Sequence, residues 1–319
     1  MTSEVRQRSY NLNTDSSVQT RNNGYSKPNS TVTIVGAGLV GSMAACFLAR
    51  RGYSVQLFEM REDPRKQTLQ AGNKSINLAL SERGRSALRK LGLEDIILEK
   101  YSIKMKARMI HNLDGTTRPI PYGREGDYIL SVGRRFLNEL LLSEAEKYPN
   151  VSVNFNHKMK RAELEKGRII FQNNEAVKKL KPHSFDSHST LPETDLDNLE
   201  SPEIESLADV ILGCDGAYSV VRQNMIKLLL LNYSQKYIEH GYLELCIPPT
   251  SKGEFVMPEN YLHIWPRGSF MMIALPNLDR SWTVTLFMPF ERYEEITNEK
   301  KLIQFFEEYF PDSISLLTR

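Results

Sequence analysis

Cysteine is scarce in this chain, which has only Cys46, Cys214 and Cys246 among its 319 residues. An odd number of widely spaced cysteines does not fit a disulfide framework, and the three lack the close spacing of a thiolate metal site. The six histidines show no ligand spacing either, so no metal site is predicted. The cysteine usage is typical of a protein in a reducing compartment.

Long apolar runs and an excess of one charge are also missing. No stretch reaches the roughly 20 apolar residues that span a bilayer, and the net charge is only +2. This balance argues against a nucleic-acid-binding or membrane-surface protein. Residues 1–30 are polar and lack the apolar core of a secretory signal. We therefore expect them to form a disordered tail.

What remains is the composition of a soluble globular protein, with 40% hydrophobic and 25% charged residues. The length allows one large or two modest domains. Residues 31–235 are predicted to form an α/β domain, and residues 236–319 a β-sheet with a helix. Within the first domain, residues 172–206 are acidic, contain several prolines and serines, and show little apolar periodicity. They are predicted to be a mobile surface insertion, with order resuming at Ala208.

The first domain begins with a strand, a helix and a second strand. Thr31–Val35 is a β-branched run, Ser42–Arg51 is rich in helix formers, and Gly52 supplies a helix stop. Tyr53–Glu59 then has the composition of a strand. Strand, helix and strand in about thirty residues predict a βαβ unit and hence a parallel sheet.

A glycine fingerprint, Gly36-Ala37-Gly38-Leu39-Val40-Gly41, joins the first strand to the helix. In such a turn Gly36 permits the tight bend, Gly38 lets the backbone approach a pyrophosphate, and Gly41 lets the helix pack on the strand. The free N–H groups of the helix start favour the phosphate charge. Glu59 follows at the end of the second strand, about 20 residues on, where a carboxylate accepts hydrogen bonds from a ribose. The fingerprint fits either FAD or NAD, since both carry ADP.

Two Asp-Gly pairs mark turns further along the chain. Asp114-Gly115 lies between two strand-like runs, Ala107–Leu113 and Thr116–Tyr122, and predicts a hairpin. Asp215-Gly216 follows an apolar strand and precedes a helix start, and from its own residues it is only a turn. After residue 236 the pattern is mostly strands separated by Pro and Gly turns, which predicts an antiparallel or mixed sheet. Two aromatic residues in these strands, Trp265 and Phe270, are expected in the core.

Several stretches resemble the kynurenine 3-monooxygenases, a family of class A FAD-dependent aromatic hydroxylases. The similar stretches are Ser75–Gly84, Ala107–His111, Pro119–Gly123, Tyr128–Val132, Ala208–Arg222, His240–Leu245 and Tyr261–Arg267. The resemblance implies a Rossmann-like parallel-sheet FAD-binding domain with an antiparallel or mixed substrate-domain sheet, to which residues 100–130 contribute a hairpin. It also implies FAD as cofactor, NADPH and O₂ as co-substrates, and hydroxylation of L-kynurenine to 3-hydroxykynurenine in tryptophan degradation.

The resemblance assigns two side chains to the substrate. It implies that Arg108 binds the substrate carboxylate as a bidentate, charge-assisted pair, and that Tyr122 donates a hydrogen bond to the same group. Without the family, Arg108 reads as a surface strand residue and Tyr122 as packing. No acid–base residue is named as catalytic. Beside the four fingerprint residues Gly36, Gly38, Gly41 and Glu59, the implied FAD contacts are Val40, Arg61, Ala79, Arg134, Met159 (through its backbone), Asp215 and Gly216.

The family also implies a cellular location and a longer sequence. Its members associate with the outer mitochondrial membrane on the cytosolic face. They continue beyond this sequence with a Gly-Asp motif and a membrane anchor, so the chain is interpreted as a fragment or truncated form. Three alternatives stay open: another flavin-dependent aromatic hydroxylase, a nicotinamide-dependent dehydrogenase, and a non-catalytic FAD-binding isoform.

Overall fold

A computed structural model describes residues 30–66, 77–174 and 203–317. Residues 1–29 of the tail predicted for residues 1–30, and most of the predicted insertion, lie outside these ranges. None of the helices in the described ranges is long and apolar enough to cross a membrane.

The elements follow one another along the chain in this order: β1 (Thr31–Val35), α1 (Leu39–Ala49), β2 (Ser54–Phe58), β3 (Asn77–Leu80), α2 (Glu82–Leu91), α3 (Glu94–Lys100), β4 (Ser102–Met105), β5 (Ala107–His111), β6 (Thr117–Pro121), β7 (Ile129–Gly133), α4 (Arg134–Ala145), β8 (Val151–Asn154), β9 (His157–Glu163), β10 (Arg168–Asn173), β11 (Glu203–Leu207), β12 (Val210–Gly213), α5 (Val220–Leu228), β13 (His240–Ile247), β14 (Tyr261–Arg267), β15 (Phe270–Pro276), β16 (Trp282–Pro289), α6 (Phe290–Glu295), α7 (Glu299–Tyr309) and α8 (Pro311–Leu317).

The first sheet is parallel, with strand order β12-β1-β2-β8. Val32 and Ile34 on β1 and Leu57 on β2 are almost completely buried, as expected for strands covered on both faces. Helix α1 packs on α4, and small residues such as Ala45 and Ala49 on its buried side allow the close approach. The predicted βαβ unit and parallel sheet are confirmed.

A second sheet, β11-β10-β9, is antiparallel and corrects the prediction for residues 172–206. Gln172 and Asn173 belong to strand β10, and residues 203–206, which were also assigned to the insertion, lie in strand β11. Gln172 pairs directly with Glu203, so the two ends of the segment are hydrogen-bonded strands. The acidic composition of β11 concealed it, because Glu203 and Glu205 face solvent and form ion pairs with Arg161 and Arg168.

A six-stranded mixed sheet has the order β13-β16-β15-β14-β5-β6. The predicted hairpin at Asp114-Gly115 is confirmed as antiparallel β5 and β6. Strand β5 also pairs with β14 in parallel, which brings the hairpin into the sheet built by the later part of the chain. Trp265 and Phe270 are 0% and 6% exposed and belong to its core, as predicted.

A small antiparallel sheet, β3-β7-β4, connects the parallel sheet to the mixed one. The Asn77 side chain on β3 donates to the Ser131 hydroxyl at 3.0 Å and to the Asn277 amide oxygen at 2.5 Å. Ser131 in turn donates to the Pro276 carbonyl at 2.8 Å. These polar contacts hold the small sheet against the end of β15 in the mixed sheet.

Candidate functional site

The glycine fingerprint adopts the conformation that its residue types require. Gly36 has a φ of +100°, and a Cβ there would lie 2.5 Å from the Cys214 carbonyl oxygen. A Cβ on Gly41 would lie 1.9 Å from the Gly36 carbonyl oxygen. Backbone atoms cannot yield to such contacts, so both positions need glycine. The result is a tight turn that leaves the N-terminus of α1 uncovered.

A cavity of about 300 Å³ opens at this turn, between α1, the end of β2 and the start of α4. Four residues predicted to contact FAD line it: Gly38, Glu59, Arg61 and Arg134. Gly38 is the N-cap residue of α1, and a Cβ there would meet no atom of the described residues within 4 Å. Open space beside the N–H groups of a helix start is what a pyrophosphate requires. We refer to this space as the nucleotide cavity.

The Glu59 carboxylate is fixed at the rim of the nucleotide cavity by two backbone hydrogen bonds. Its Oε2 accepts from the Ala37 N–H at 2.9 Å, and its Oε1 accepts from the Arg61 N–H at 3.0 Å. Each carboxylate oxygen keeps further lone-pair capacity. The side chain is therefore held rigid and can still accept from ribose hydroxyls.

Arg135, Asn138 and Phe155 are among the residues of the nucleotide cavity that were not predicted from the sequence. Asn138 lies one helical turn after Arg134, and its side chain donates to the Ala37 carbonyl at 3.3 Å. Helical spacing from Arg134 is the signal that would have identified Asn138. Phe155 follows β8 and has no equivalent local signal.

The Asp215-Gly216 turn lies next to the fingerprint but does not line the nucleotide cavity. Asp215 Oδ2 accepts from the Val220 and Val221 N–H groups at 2.7 and 3.2 Å, which caps α5. Its other oxygen, Oδ1, is buried and has no hydrogen-bond partner within the ranges that the structure describes. Gly216 has a φ of +81° and open space around it. The turn is thus preformed at the carboxyl end of β12, beside β1.

The structure separates the remaining predicted FAD contacts from the nucleotide cavity. Val40 is 70% exposed on the first turn of α1. The Met159 side chain is buried with Val35 and Phe58, so only its backbone is available to a ligand. Ala79 lies in a different cavity, together with the two residues predicted to bind substrate.

This second cavity has a volume of about 720 Å³ and includes Ala79, Arg108 and Tyr122. We call it the substrate cavity. The guanidinium carbon of Arg108 lies 4.5 Å from the centroid of the Tyr122 ring, within the range of a cation–π contact. The β5–β6 hairpin produces this proximity, because it pairs Ala107 with Pro121. The two residues predicted from opposite sides of the turn are therefore neighbours.

The polar groups of the substrate cavity differ in how well they are satisfied. Arg85 already donates to Glu94 at 2.9 Å and to the Tyr128 hydroxyl at 2.8 Å. In the ranges that the structure describes, no carboxylate pairs with Arg108, and its guanidinium lies over the Tyr122 ring. The Tyr122 hydroxyl is buried, and none of the described residues forms a hydrogen bond with it. Burial raises the pKa of Tyr122 to about 12, although Arg108 opposes the shift. The pair thus offers a cation and a neutral phenol donor, which together suit an anion.

Comparison with known proteins identifies the family of this chain. A family model described as "FAD binding domain" matches residues 29–310. The kynurenine 3-monooxygenase of Anopheles gambiae is 49% identical over 302 residues, which cover 94% of this chain and 57% of that protein. The enzyme of the same name from Sus scrofa is 46% identical over 288 residues, covering 90% and 55%. The chain therefore spans a little over half the length of these relatives.

Solved structures agree on the fold. The tetrameric form of 2-methyl-3-hydroxypyridine-5-carboxylic acid oxygenase superposes with a TM-score of 0.64 at 19% identity, covering 92% of this chain and 67% of that one. PqsL, a probable FAD-dependent monooxygenase from Pseudomonas aeruginosa, superposes with a TM-score of 0.61 at 15% identity, covering 88% and 67%. The predicted α/β class with a parallel FAD-binding sheet and a mixed sheet is confirmed. The chain belongs to the FAD binding domain family, and within it the chain is similar to the kynurenine 3-monooxygenases.

Proposed function

We propose that this chain forms the FAD site and part of the substrate site of an NADPH-dependent monooxygenase that converts L-kynurenine to 3-hydroxykynurenine. The observation that carries the proposal is the Arg108–Tyr122 pair, in which a guanidinium without a carboxylate partner in the described part of the chain stands 4.5 Å from a phenol ring. The names of the relatives support the choice of substrate.

The chemistry of kynurenine matches this pair. Its carboxylate requires a cation, and a planar guanidinium can bind both carboxylate oxygens. The Tyr122 hydroxyl is buried with no partner among the described residues, and an anion at Arg108 would supply an acceptor. Binding would therefore relieve the cost of an unsatisfied buried donor. The ring of the substrate would then lie along the remainder of the cavity, where Ala79 and Ile129 contribute to the lining.

The nucleotide cavity fits FAD by its donors and by its shape. Gly38 leaves room for a pyrophosphate at the start of α1, and the fixed Glu59 carboxylate can accept from the ribose. Arg61 and Arg134 contribute positive charge around the phosphates. When bound, FAD supplies the redox chemistry with NADPH and O₂, which no side chain provides. The residues of the protein bind the substrate, orient its aromatic ring and exclude water.

The test is NADPH oxidation by the chain with added FAD, with and without L-kynurenine, and with product analysis by chromatography. A kynurenine-dependent rise with an equal amount of 3-hydroxykynurenine is the expected result. Stimulation by a phenol such as 4-hydroxybenzoate, but not by kynurenine, would assign another aromatic hydroxylase. Retention of FAD without turnover of either compound would instead indicate a non-catalytic FAD-binding protein.

For the protein in its cell, we propose an association with the outer mitochondrial membrane on the cytosolic side. The similarity to the kynurenine 3-monooxygenases is the support for this location. Subcellular fractionation followed by protease treatment of intact mitochondria tests it. Recovery in the soluble fraction alone would reject the location and leave the proposed reaction standing.

A further inference from the structure

One wall of the nucleotide cavity is formed by a segment with little regular secondary structure. Residues 60–66, which we call the strap, follow β2, and their only regular element is a 3₁₀ turn at Pro64–Lys66. Arg61, Glu62 and Pro64 of the strap line the nucleotide cavity. A wall without sheet or α-helical hydrogen bonds needs other contacts to keep its shape. The strap obtains several of them from helix α4.

Arg65 joins the strap to the end of α4 through two carboxylates. Its Nη1 and Nη2 donate to the two oxygens of Glu146, the C-cap residue of α4, at 2.6 and 3.0 Å. Its Nε and Nη2 donate to the two oxygens of Asp63 at 2.8 Å each. Both pairs are bidentate, a geometry that the planar guanidinium allows and a lysine does not. Arg65 therefore fixes the strap to α4 and also fixes its internal turn.

The charge of Arg65 is balanced inside this cluster. Asp63 is buried, and the hydrogen bond from Arg65 outweighs the effect of burial and lowers the pKa of Asp63. The single guanidinium thus faces two carboxylates, and Arg65 does not line the nucleotide cavity. A cation that serves the phosphates would instead have to reach into the cavity. The arrangement therefore suits holding the strap and not binding a phosphate.

Further contacts anchor the strap on both sides of the residues that it contributes to the cavity. From α4, Nη2 of Arg135 donates to the Pro64 carbonyl at 2.6 Å, while its Nε donates to Glu139 at 2.6 Å, one helical turn further on. At the start of the strap, the Arg61 carbonyl accepts from the Asn156 N–H at 2.9 Å. The strap is therefore held at both ends by neighbouring elements of the FAD-binding domain.

We propose that Arg65 is a positioning residue of the FAD site, which holds the strap and Phe155 in the shape that FAD binds. Phe155 lines the nucleotide cavity from the end of β8, and the guanidinium carbon of Arg65 lies 5.7 Å from its ring centroid, within cation–π range. A preformed wall spares FAD the cost of ordering it. The inference rests on the proposed function only in taking the nucleotide cavity as the FAD site.

The first experiment compares two arginine variants by FAD titration, followed through flavin fluorescence. Arg65→Ala removes the clamp, whereas Arg161→Ala removes an arginine from the ion pair with Glu203, which lies outside the nucleotide cavity. Arg65→Ala is expected to weaken FAD affinity about tenfold, because FAD then has to order the strap. Arg161→Ala is expected to leave the affinity unchanged. Equal FAD affinities in the two variants reject the role.

The second experiment separates positioning from a general loss of stability. Glu146→Gln removes the partner of Arg65 from the α4 side, at an exposed position that the fold tolerates more easily. If the two residues act as one clamp, Arg65→Ala should weaken FAD binding less in the Glu146→Gln chain than in the unmodified chain. Losses of FAD affinity that simply add in the double variant reject the clamp. Thermal unfolding without FAD shows that each variant is folded.

Amide hydrogen exchange in the FAD-free chain separates a failure of the inference from a failure of the proposed function. If the unmodified chain binds no FAD, the proposed function fails, while exchange still decides whether Arg65 positions the strap. The reporters are the amides of Asn156 and Lys66, which donate to the strap carbonyls of Arg61 and Asp63. Faster exchange at these amides in Arg65→Ala than in Arg161→Ala supports the role. Equal exchange in both variants rejects it.

Discussion

Nε2 of His111 and Nδ1 of His263 lie 2.8 Å apart in the core of the mixed sheet, although the two residues are 152 positions apart in the sequence. The contact joins β5 to β14 through side chains in addition to their backbone pairing. Because one of the two rings is held neutral by burial, the contact also makes the stability of the sheet depend on pH.

Acid should destabilise the chain through His263. Burial lowers the pKa of this ring from 6.5 to about 4, against the opposing hydrogen bond to Pro258. The unfolded chain therefore takes up the proton below about pH 6.5, whereas the folded chain resists it until about pH 4. The free energy of unfolding should fall by up to about 3 kcal/mol between these pH values. Urea unfolding of the FAD-free chain at several pH values measures this loss.

The variant His263→Gln should show a flatter dependence over the same pH range, since the titrating group is gone. His240→Gln provides the control, because His240 is partly exposed and its side chain hydrogen-bonds the Ser269 carbonyl. If both variants keep the acid sensitivity of the unmodified chain, another group is responsible.

Replacing Arg108 with Ala should weaken kynurenine binding by about 2–4 kcal/mol, because the substrate carboxylate would lose its charged partner. Kynurenine-induced changes in flavin fluorescence give the dissociation constant. Arg118→Ala is a suitable control, since Arg118 lies on β6 of the same hairpin and is exposed. An unchanged affinity in Arg108→Ala, or an equal loss in both variants, would remove Arg108 from the substrate site.

Tyr122→Phe should separate stability from binding. The hydroxyl is buried and hydrogen-bonds no residue in the described part of the chain, so its removal should cost less than about 1 kcal/mol of stability, or even stabilise the chain. Kynurenine affinity should fall several-fold, because a donor to the carboxylate is lost. Thermal unfolding and the flavin titration measure the two effects. A large loss of stability with unchanged affinity would mean that Tyr122 serves packing alone.

Two glycines of the fingerprint should respond differently to a methyl group. Gly41→Ala places a Cβ against the Gly36 carbonyl oxygen and should destabilise the fold by about 1–3 kcal/mol. Gly38→Ala meets no atom within 4 Å, so the chain should fold normally while its FAD affinity falls, because the methyl group occupies the approach of the pyrophosphate. Thermal unfolding and FAD titration measure both variants. Undiminished FAD affinity in Gly38→Ala would place the pyrophosphate elsewhere.

The features predicted from the sequence are those determined by neighbouring residues. The βαβ unit depends on a glycine turn flanked by two apolar runs, and the hairpin depends on Asp114-Gly115 between two strands. Each is a contact between segments close in sequence, so composition and turn residues are sufficient to indicate it. The neighbourhood of Arg108 and Tyr122 follows from the same hairpin.

The features that could not be predicted from the sequence depend on contacts between distant segments. Strand β11 has an acidic sequence that gives no strand signal alone, and it is stabilised by pairing with β10 across a long intervening segment. Asp312 reads as a surface acid after a proline, and only tertiary packing places it against His111 and Trp265. The location of Ala79 in the substrate cavity likewise depends on how β3 is held by Asn77. Local patterns carry no information on such pairings.

The parallel pairing of β5 with β14 also has a consequence for how the protein folds during synthesis. The β5–β6 hairpin leaves the ribosome long before its neighbour β14, so the β5 edge that β14 later covers is unpaired in the meantime. Contacts of such large sequence separation form late and slow the overall folding rate. The Arg108 strand is therefore expected to be among the last parts of the described chain to become ordered, and nascent chains that end before Tyr261 should be the ones that depend most on chaperones.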